Sequence, residues 1–241
     1  IYNTFYKDSK YDKYWFEYEG KPLLLGNKAE ISHTLVKGLV DRFTFRNSWA
    51  WMGGANADEW AWLEYYPQRP GWTSVYNSIL GTTVKKTEQI SVSVAQHATT
   101  KVGKSYHGGK QPAYDKYGLC EETPYGLYFQ EQWNHAIDVH PPIVMVTQFN
   151  EWIAQRFVIH NQGEYGNIRP GATAKIGETY FVDVYNAEFS RDLEPGTHPL
   201  IRDNYYLQLV SNTRKYRGVN KIPVPTVNLS IDINGDFSQW D

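Results

Sequence analysis

Pro142-Ile143-Val144-Met145-Val146-Thr147 runs without a break into Gln148-Phe149-Asn150-Glu151-Trp152. The first half is almost wholly aliphatic and β-branched, the pattern of a strand covered on both faces, as in parallel sheets. The second half puts amides, a carboxylate and an indole at the strand's C-terminal end. Four other short runs share the apolar character of the first half. Pro22-Leu23-Leu24-Leu25 follows the turn signal Glu19-Gly20. Phe43 to Trp49 and Gln89 to Ala95 come next, and Tyr180 to Tyr185 follows the Pro142 stretch.

Helical periodicity falls between these runs. Ala29 to Val40 carries Ile31, Leu35, Val36 and Leu39 in one stripe. Thr123-Pro124 reads as N-cap and first turn of a helix with Tyr128, Phe129, Gln132, Trp133, Ala136 and Ile137 on one side. Asp203 caps a third segment with Tyr206, Leu209, Val210 and Tyr216 on its apolar face. That segment ends in Arg214-Lys215-Tyr216-Arg217-Gly218, cations and then glycine. Strands alternating with helices predict a parallel α/β sheet. Five strands, each followed by a long loop, predict a (β/α)8 TIM barrel to which this chain supplies the C-terminal strands. A whole barrel takes about 250 residues and eight such units. The reading therefore expects a missing N-terminal half, or a companion chain of the same barrel. The alternative is an open sheet with large insertions. Residues 1–218 are assigned to the barrel. Residues 219–241 read as a Pro-containing linker and a strand that resembles the opening of β-sandwich carbohydrate-binding modules.

Composition narrows the function. Of 241 residues 16% are aromatic, with nine Trp, and the net charge is -2. That apolar content argues against disorder, and no basic run marks a nucleic-acid partner. No apolar stretch approaches the ~20 residues of a membrane span. The single cysteine, Cys120, rules out an internal disulfide and a cysteine zinc site. No signal peptide is visible at Ile1, so one was removed or residues lie upstream. The glycine pairs lack the companions of a phosphate loop, the seven His lack metal-ligand spacing, and no cofactor is expected. Asp232 to Asp236 superficially resembles a calcium loop but lacks its glycine and glutamate positions, so a turn is expected.

The chemistry concentrates at strand ends. A carboxylate beside Trp152 loses hydration and its pKa rises, which suits Glu151 to a general acid. The alternative is that Glu151 caps the following helix. Asn150 and Gln148 are placed to bond substrate hydroxyls. His97, after the third strand, either bonds a sugar or is a satisfied loop residue. Arg46 and Asn47 end the second strand and either read an anionic sugar or form a structural ion pair. Trp49, Trp51, Trp60, Trp62 and Trp72 crowd one loop, and flat rings stack on the C–H faces of sugars.

Asn150-Glu151-Trp152 at the end of an apolar strand resembles the Asn-Glu-Trp motif of the family 99 glycoside hydrolases, and Asn186 to Pro195 resembles the acidic stretch that follows it there. The resemblance implies a (β/α)8 barrel that cleaves a polysaccharide or glycan, endo-acting, and found secreted, in the periplasm or at the cell surface. It departs at Ala154, where those enzymes carry a second glutamate. The second carboxylate must then come from elsewhere, or catalysis is absent and the chain is a non-catalytic glycan-binding protein. Glu188 and Asp192 are the first candidates, with Asp183 and Glu64 behind them, and each can instead pair with an arginine. Carboxyls ~5–5.5 Å apart would mean retention and ~6.5–9.5 Å inversion.

Overall fold

Glu19 and Gly20 both take positive φ, 54° and 76°, the two-residue turn that matches the twist of a hairpin. It joins β1 (Glu17–Tyr18) to β2 (Lys21–Gly26). The computed structural model describes residues 2–27, 41–95, 105–110, 112–113, 120–150, 156–159, 175–181, 192–196, 199–219, 232 and 234–235. β2 then pairs in parallel with β3 (Thr44–Asn47), Leu24 opposite Phe45. A second sheet begins with a hairpin, β4 (Gly71–Asn77) against β5 (Thr82–Val92), and β5 pairs in parallel with β6 (Ile143–Val146). β7 (Arg156–Val158) and β8 (Thr179–Phe181) form a separate antiparallel pair.

The barrel expectation is overturned. The described strands divide into two mixed three-stranded sheets and a two-stranded one, not a single parallel ring. Two features defeated the periodicity. Gly71 to Asn77 begins at the end of what the sequence presents as a tryptophan loop and lies outside the five apolar runs, yet it is a strand. β8, at the start of the fifth apolar run, pairs antiparallel with β7 instead of lying parallel beside β6. β7 itself falls in the long loop expected after the Pro142 run. The β6 residues are all half-buried, because β6 is an edge strand among the described residues, with only β5 beside it in its sheet.

Other elements follow the sequence closely. A short 3-10 turn at Thr123–Tyr125 leads into α1 (Leu127–Val139), which buries Tyr128, Phe129, Gln132, Trp133 and Ala136. These meet Ile90, Val92 and Val94 of the β5 side, with Leu193, Ile201 and Tyr205 completing the core. α2 (Asn204–Arg217) ends at Gly218 as expected; of its expected apolar face Leu209 and Tyr216 pack against the core and Tyr206 and Val210 are exposed, while the fully buried residues are Tyr205 and Asn212. Its seam to α1 is made of amides: Gln208 and Asn212 both bond Gln130. Gly126, at φ 59°, sits under this seam, where a Cβ would lie 2.2 Å from the Gln208 amide oxygen. The Ala29–Val40 helix lies outside the described residues. Among those residues no helix is long and apolar enough to cross a membrane. The Asp232 turn forms, its carboxylate accepting from the Asn234 N–H at 3.0 Å.

The two larger sheets are joined by one buried ion pair. Arg46 of β3 donates to Glu88 of β5 through Nε at 2.7 Å and Nη2 at 2.6 Å. Glu88 is 0% and Arg46 5% exposed. Trp60 Nε1 and the Tyr18 hydroxyl complete the carboxylate's partners at 2.9 and 3.3 Å. Burial pushes the Glu88 carboxyl up, but the Arg46 hydrogen bonds, the Trp60 N–H and the Arg46 charge outweigh it and hold it below the usual carboxylate range. Tyr18 is pushed up to about 12, by burial first and then by the Glu88 and Glu19 charges.

Two effects on stability are expected. Glu88→Gln leaves the buried guanidinium with only the more exposed Glu19, at 3.1 Å, and Asp58, at 3.9 Å, as counter-ions, and should cost up to about 3–5 kcal/mol in denaturant unfolding. The pH dependence has two limbs. Glu88 titrates lower folded than unfolded, so its contribution is complete above about pH 4.5 and lost as pH falls through the lower folded value. Tyr18 titrates higher folded, so its contribution is whole below pH 10 and lost as pH rises towards 12. Tyr18→Phe should make the alkaline limb shallower and, by removing one hydrogen bond to Glu88, slightly reduce the acid limb as well.

Candidate functional site

The parallel pairs β2/β3 and β5/β6 each end in a segment that carries candidate residues, and the carboxyl ends of parallel strands are where open α/β sheets bind ligands. At the β6 end the chain turns sharply. Gln148 has φ 65°, and its side-chain oxygen accepts the Ala95 N–H at 2.7 Å. The Thr147 N–H reaches the Val92 carbonyl, so the pairing with the β5 side runs past the strand. On the other side, the Leu193 N–H bonds the Gln148 carbonyl at 3.1 Å and the Glu194 N–H bonds the Phe149 carbonyl at 2.8 Å.

Leu193 is buried in the core. Its burial is worth about 2 kcal/mol, against about 1 kcal/mol for each hydrogen bond. Apolar anchoring and the two hydrogen bonds thus hold this segment to a similar degree. The consequence is that half-buried Asp192 and exposed Asn150 belong to two strips of chain laid side by side. Asp192 and Glu194 are the carboxylates of the segment beside this turn among the described residues, Glu194 through its own N–H to Phe149. Glu151, Trp152, Glu188, Asp183 and His97 lie outside the described residues.

The β3 end is built differently. The chain after Asn47 runs to Ala50 and is flanked in parallel by residues 59–63, bridged at Asn47–Glu59 and Ala50–Leu63. Ser48 Oγ caps the Trp60 carbonyl at 2.8 Å. This doubling separates the tryptophans. Trp60 is buried on Glu88, Trp51 stacks on Tyr65 at 5.7 Å, and Trp72 carries Lys85 over its ring. Trp49, 66% exposed, meets Trp62, 37% exposed, edge to face at 6.4 Å. Two indoles at right angles in solvent form an aromatic corner.

At the same strand end lies an open cleft of about 330 Å³ lined by Phe45, Asn47, Asn56, Ala57, Asp58 and Glu59. That volume is at the lower end of small-ligand sites, roughly 300–1,000 Å³. The buried Glu59 carboxylate accepts from Asn47 Nδ2 at 3.3 Å, the Asn56 N–H at 3.0 Å and Asn56 Nδ2 at 3.1 Å, which fixes the rim. Asp58 accepts from Thr73 and stands 3.9 Å from Arg46. Phe45 supplies an apolar wall. Sequence reasoning named Asn47 alone of this set. Asn56, Asp58 and Glu59 sit in an irregular loop with no periodicity, and only the Asn47–Glu59 bridge gathers them.

Two open alternatives close here. Arg46 takes the structural ion pair with Glu88, not a solvent-facing position. Glu64 is a scaffold carboxylate: 4% exposed, it accepts from the Gly53 and Tyr65 N–H groups and pairs with Arg69 at 3.2 Å. Among the described residues no group of three or more His, Cys, Asp and Glu is placed to hold a metal ion. Comparison with protein-family models, curated proteins and solved structures finds no match for this chain.

Glu64→Ala should therefore lower unfolding stability by about 1–3 kcal/mol, since it strands a buried backbone N–H. The loss should appear equally with and without any bound glycan, which a carboxylate acting on substrate would not give.

Proposed function

We propose that the chain is a glycoside hydrolase that cleaves a polysaccharide or glycan by carboxylate acid and base catalysis, with Glu151 as the general acid. The observation that carries this reading is the backbone pairing of 148–149 with 193–194. It ties the segment leading into Glu151 to the segment that begins with Asp192, and glycoside hydrolysis needs two carboxyls from such neighbouring segments. Asp192 is accordingly the base or nucleophile, with Glu188 of the same acidic stretch as the alternative. Support also comes from the likeness of Asn150-Glu151-Trp152 to the family 99 motif, and from the exposed Trp49–Trp62 corner, which offers flat apolar faces to sugar rings. Asn150, exposed at the turn, is assigned to a substrate hydroxyl.

The division of labour follows from solvation. An acid must hold its proton at neutral pH, and an indole neighbour in the chain, Trp152, lowers the hydration of the Glu151 carboxylate. A second carboxylate that stays charged opposes its ionisation further. Ala154, where the related enzymes carry glutamate, favours a second reading on the same surface: a glycan-binding protein without turnover.

Release of reducing ends from a polysaccharide panel separates the two. Glu151→Gln should lower kcat by about 10²–10⁴ with the melting transition unchanged. Asp192→Asn should do the same if Asp192 is the partner. Trp49→Ala should leave stability within about 0.5 kcal/mol, and should weaken glycan binding in both readings. Activity of Glu151→Gln within twofold of wild type would remove the acid, and absence of turnover with retained binding would leave the binding protein.

A further inference from the structure

The β4–β5 hairpin extends beyond its contact with β6. β5 pairs with β6 only from Gln89 to Val92, so the register pairs from Trp72–Thr87 to Asn77–Thr82 form a two-stranded ribbon. Its tip is apolar. Ile79 is 93% exposed, the highest of the large hydrophobic side chains among the described residues, with Tyr76 at 70% and Leu80 at 65%. The turn does not require these residues. Asn77 Oδ1 accepts the N–H groups of Ile79 and Leu80 at 3.0 and 3.1 Å, and Gly81 supplies the positive φ of 64°. Positions 79 and 80 contribute backbone alone to that turn, where polar residues serve as well. The same bonds hold the two aliphatic side chains outward in one geometry, which lowers the ordering cost of docking.

Charge is distributed along the ribbon in layers. From Gly71 to Val84 no residue carries a charge. Lys85 and Lys86 follow, opposite Ser74 and Thr73. At ~3.4 Å per residue, they lie roughly 10–14 Å from the Asn77–Thr82 pair. Tyr76 lies between lysines and tip, and Trp72 lies beneath Lys85, whose Nζ is 4.1 Å from the ring centroid. Lys86 is 3.8 Å from Glu19, and Asp58 holds Thr73, so the acids are at the ribbon's base. Aliphatic tip, then aromatic, then lysine is the order of a bilayer's hydrocarbon, interfacial and phosphate zones.

We infer that the β4–β5 tip is a peripheral anchor that dips Ile79 and Leu80 into a membrane surface bearing anionic phospholipid, with Lys85 and Lys86 on the headgroup phosphates. The occupant is chosen by charge complementarity: an apolar protein groove would satisfy Ile79 and Leu80 but has no need of paired lysines at a fixed depth. Binding is weak and reversible, since two side chains and two charges supply it. It is independent of the glycan reading.

The test is sedimentation of the full chain with vesicles of phosphatidylcholine alone and of phosphatidylcholine with phosphatidylserine. Wild type should bind the mixed vesicles at least tenfold more tightly. Ile79→Ser with Leu80→Ser should lose binding to both, and Lys85→Gln with Lys86→Gln should lose the preference for the anionic ones, about fivefold per lysine. Both variants should melt like wild type, because the positions are exposed. Absence of wild-type binding, or unchanged binding by the serine variant, overturns the inference. A doubled mass in solution that the serine variant abolishes, without vesicle binding, also overturns it and makes the tip an interface between copies.

Discussion

A carboxylate without water fixes this architecture. Glu88 lies fully buried on β5, where an isolated charge costs several kcal/mol, and the fold answers with donors from three other stretches of chain. Arg46 comes from β3, Trp60 from the doubled loop, and Tyr18 from β1. Arg46 also lies over the rings of Tyr18 and Trp60, at 5.4 and 5.7 Å, so the guanidinium is held on its faces as well as its edge. The first two sheets are linked by backbone bonds through Asp58, from Asn47 of β3 to Trp72 of β4, and this cluster adds a buried side-chain join. A hydrophobic replacement of the whole set could be as stable. What the ion pair adds is direction: a bidentate fork accepts one mutual placement of β3 and β5, and hence of the two strand ends.

Amides do the remaining cross-linking. Gln132, fully buried on α1, accepts the Ser93 N–H and donates to the Glu64 carbonyl; Gln68 donates to the carbonyls of Ser91 and Gln132. Irregular segments bring unpaired backbone groups into the interior, and each needs a partner there. A glutamine carries both donor and acceptor on a flexible stem, so it can serve two such groups at once. The same logic explains Gln148, which ties the β6 turn to Ala95, and Gln130, which joins α1 to α2. Rigid placement of the strand-end loops depends on these bonds as much as on the apolar core beneath them.

The two strand ends differ in how they present chemistry. At β6 a single backbone turn lays Gln148 and Phe149 beside Leu193 and Glu194, with Leu193 as the apolar pin. At β3 the doubled loop and β4 spread five tryptophans into separate duties, leaving Trp49 and Trp62 exposed, while Phe45, Glu59 and its asparagines edge an open cleft. Fixed polar groups and an exposed apolar platform are the two kinds of element that ligand sites combine.

Local chemistry was legible in the sequence. β2, β3 and β6 fall where the short apolar runs put them, and α1 buries the face that its 3-4 spacing marks, because a side chain's period is fixed by the backbone it sits on. The Gly218 stop and the Glu19-Gly20 turn are likewise properties of single residues. What the sequence did not hold was pairing. Gly71 to Asn77 carries strand-forming Trp, Thr, Val and Tyr without an apolar run, and it is a strand because Thr82 to Gln89 lies opposite it. Tyr180 and Phe181 have the composition of a buried parallel strand and pair antiparallel with Arg156 to Val158. The interior face of α2 is set by Tyr205, Gln208 and Asn212, since its seam is made of hydrogen bonds and an apolar count does not see them. Arg46 could have faced solvent or Glu88 with equal local cause. Strand partners and ion-pair partners are separated by tens of residues along the chain, so no window of sequence contains the energy that selects them; the tertiary structure alone brings those groups within the few ångströms at which that energy acts.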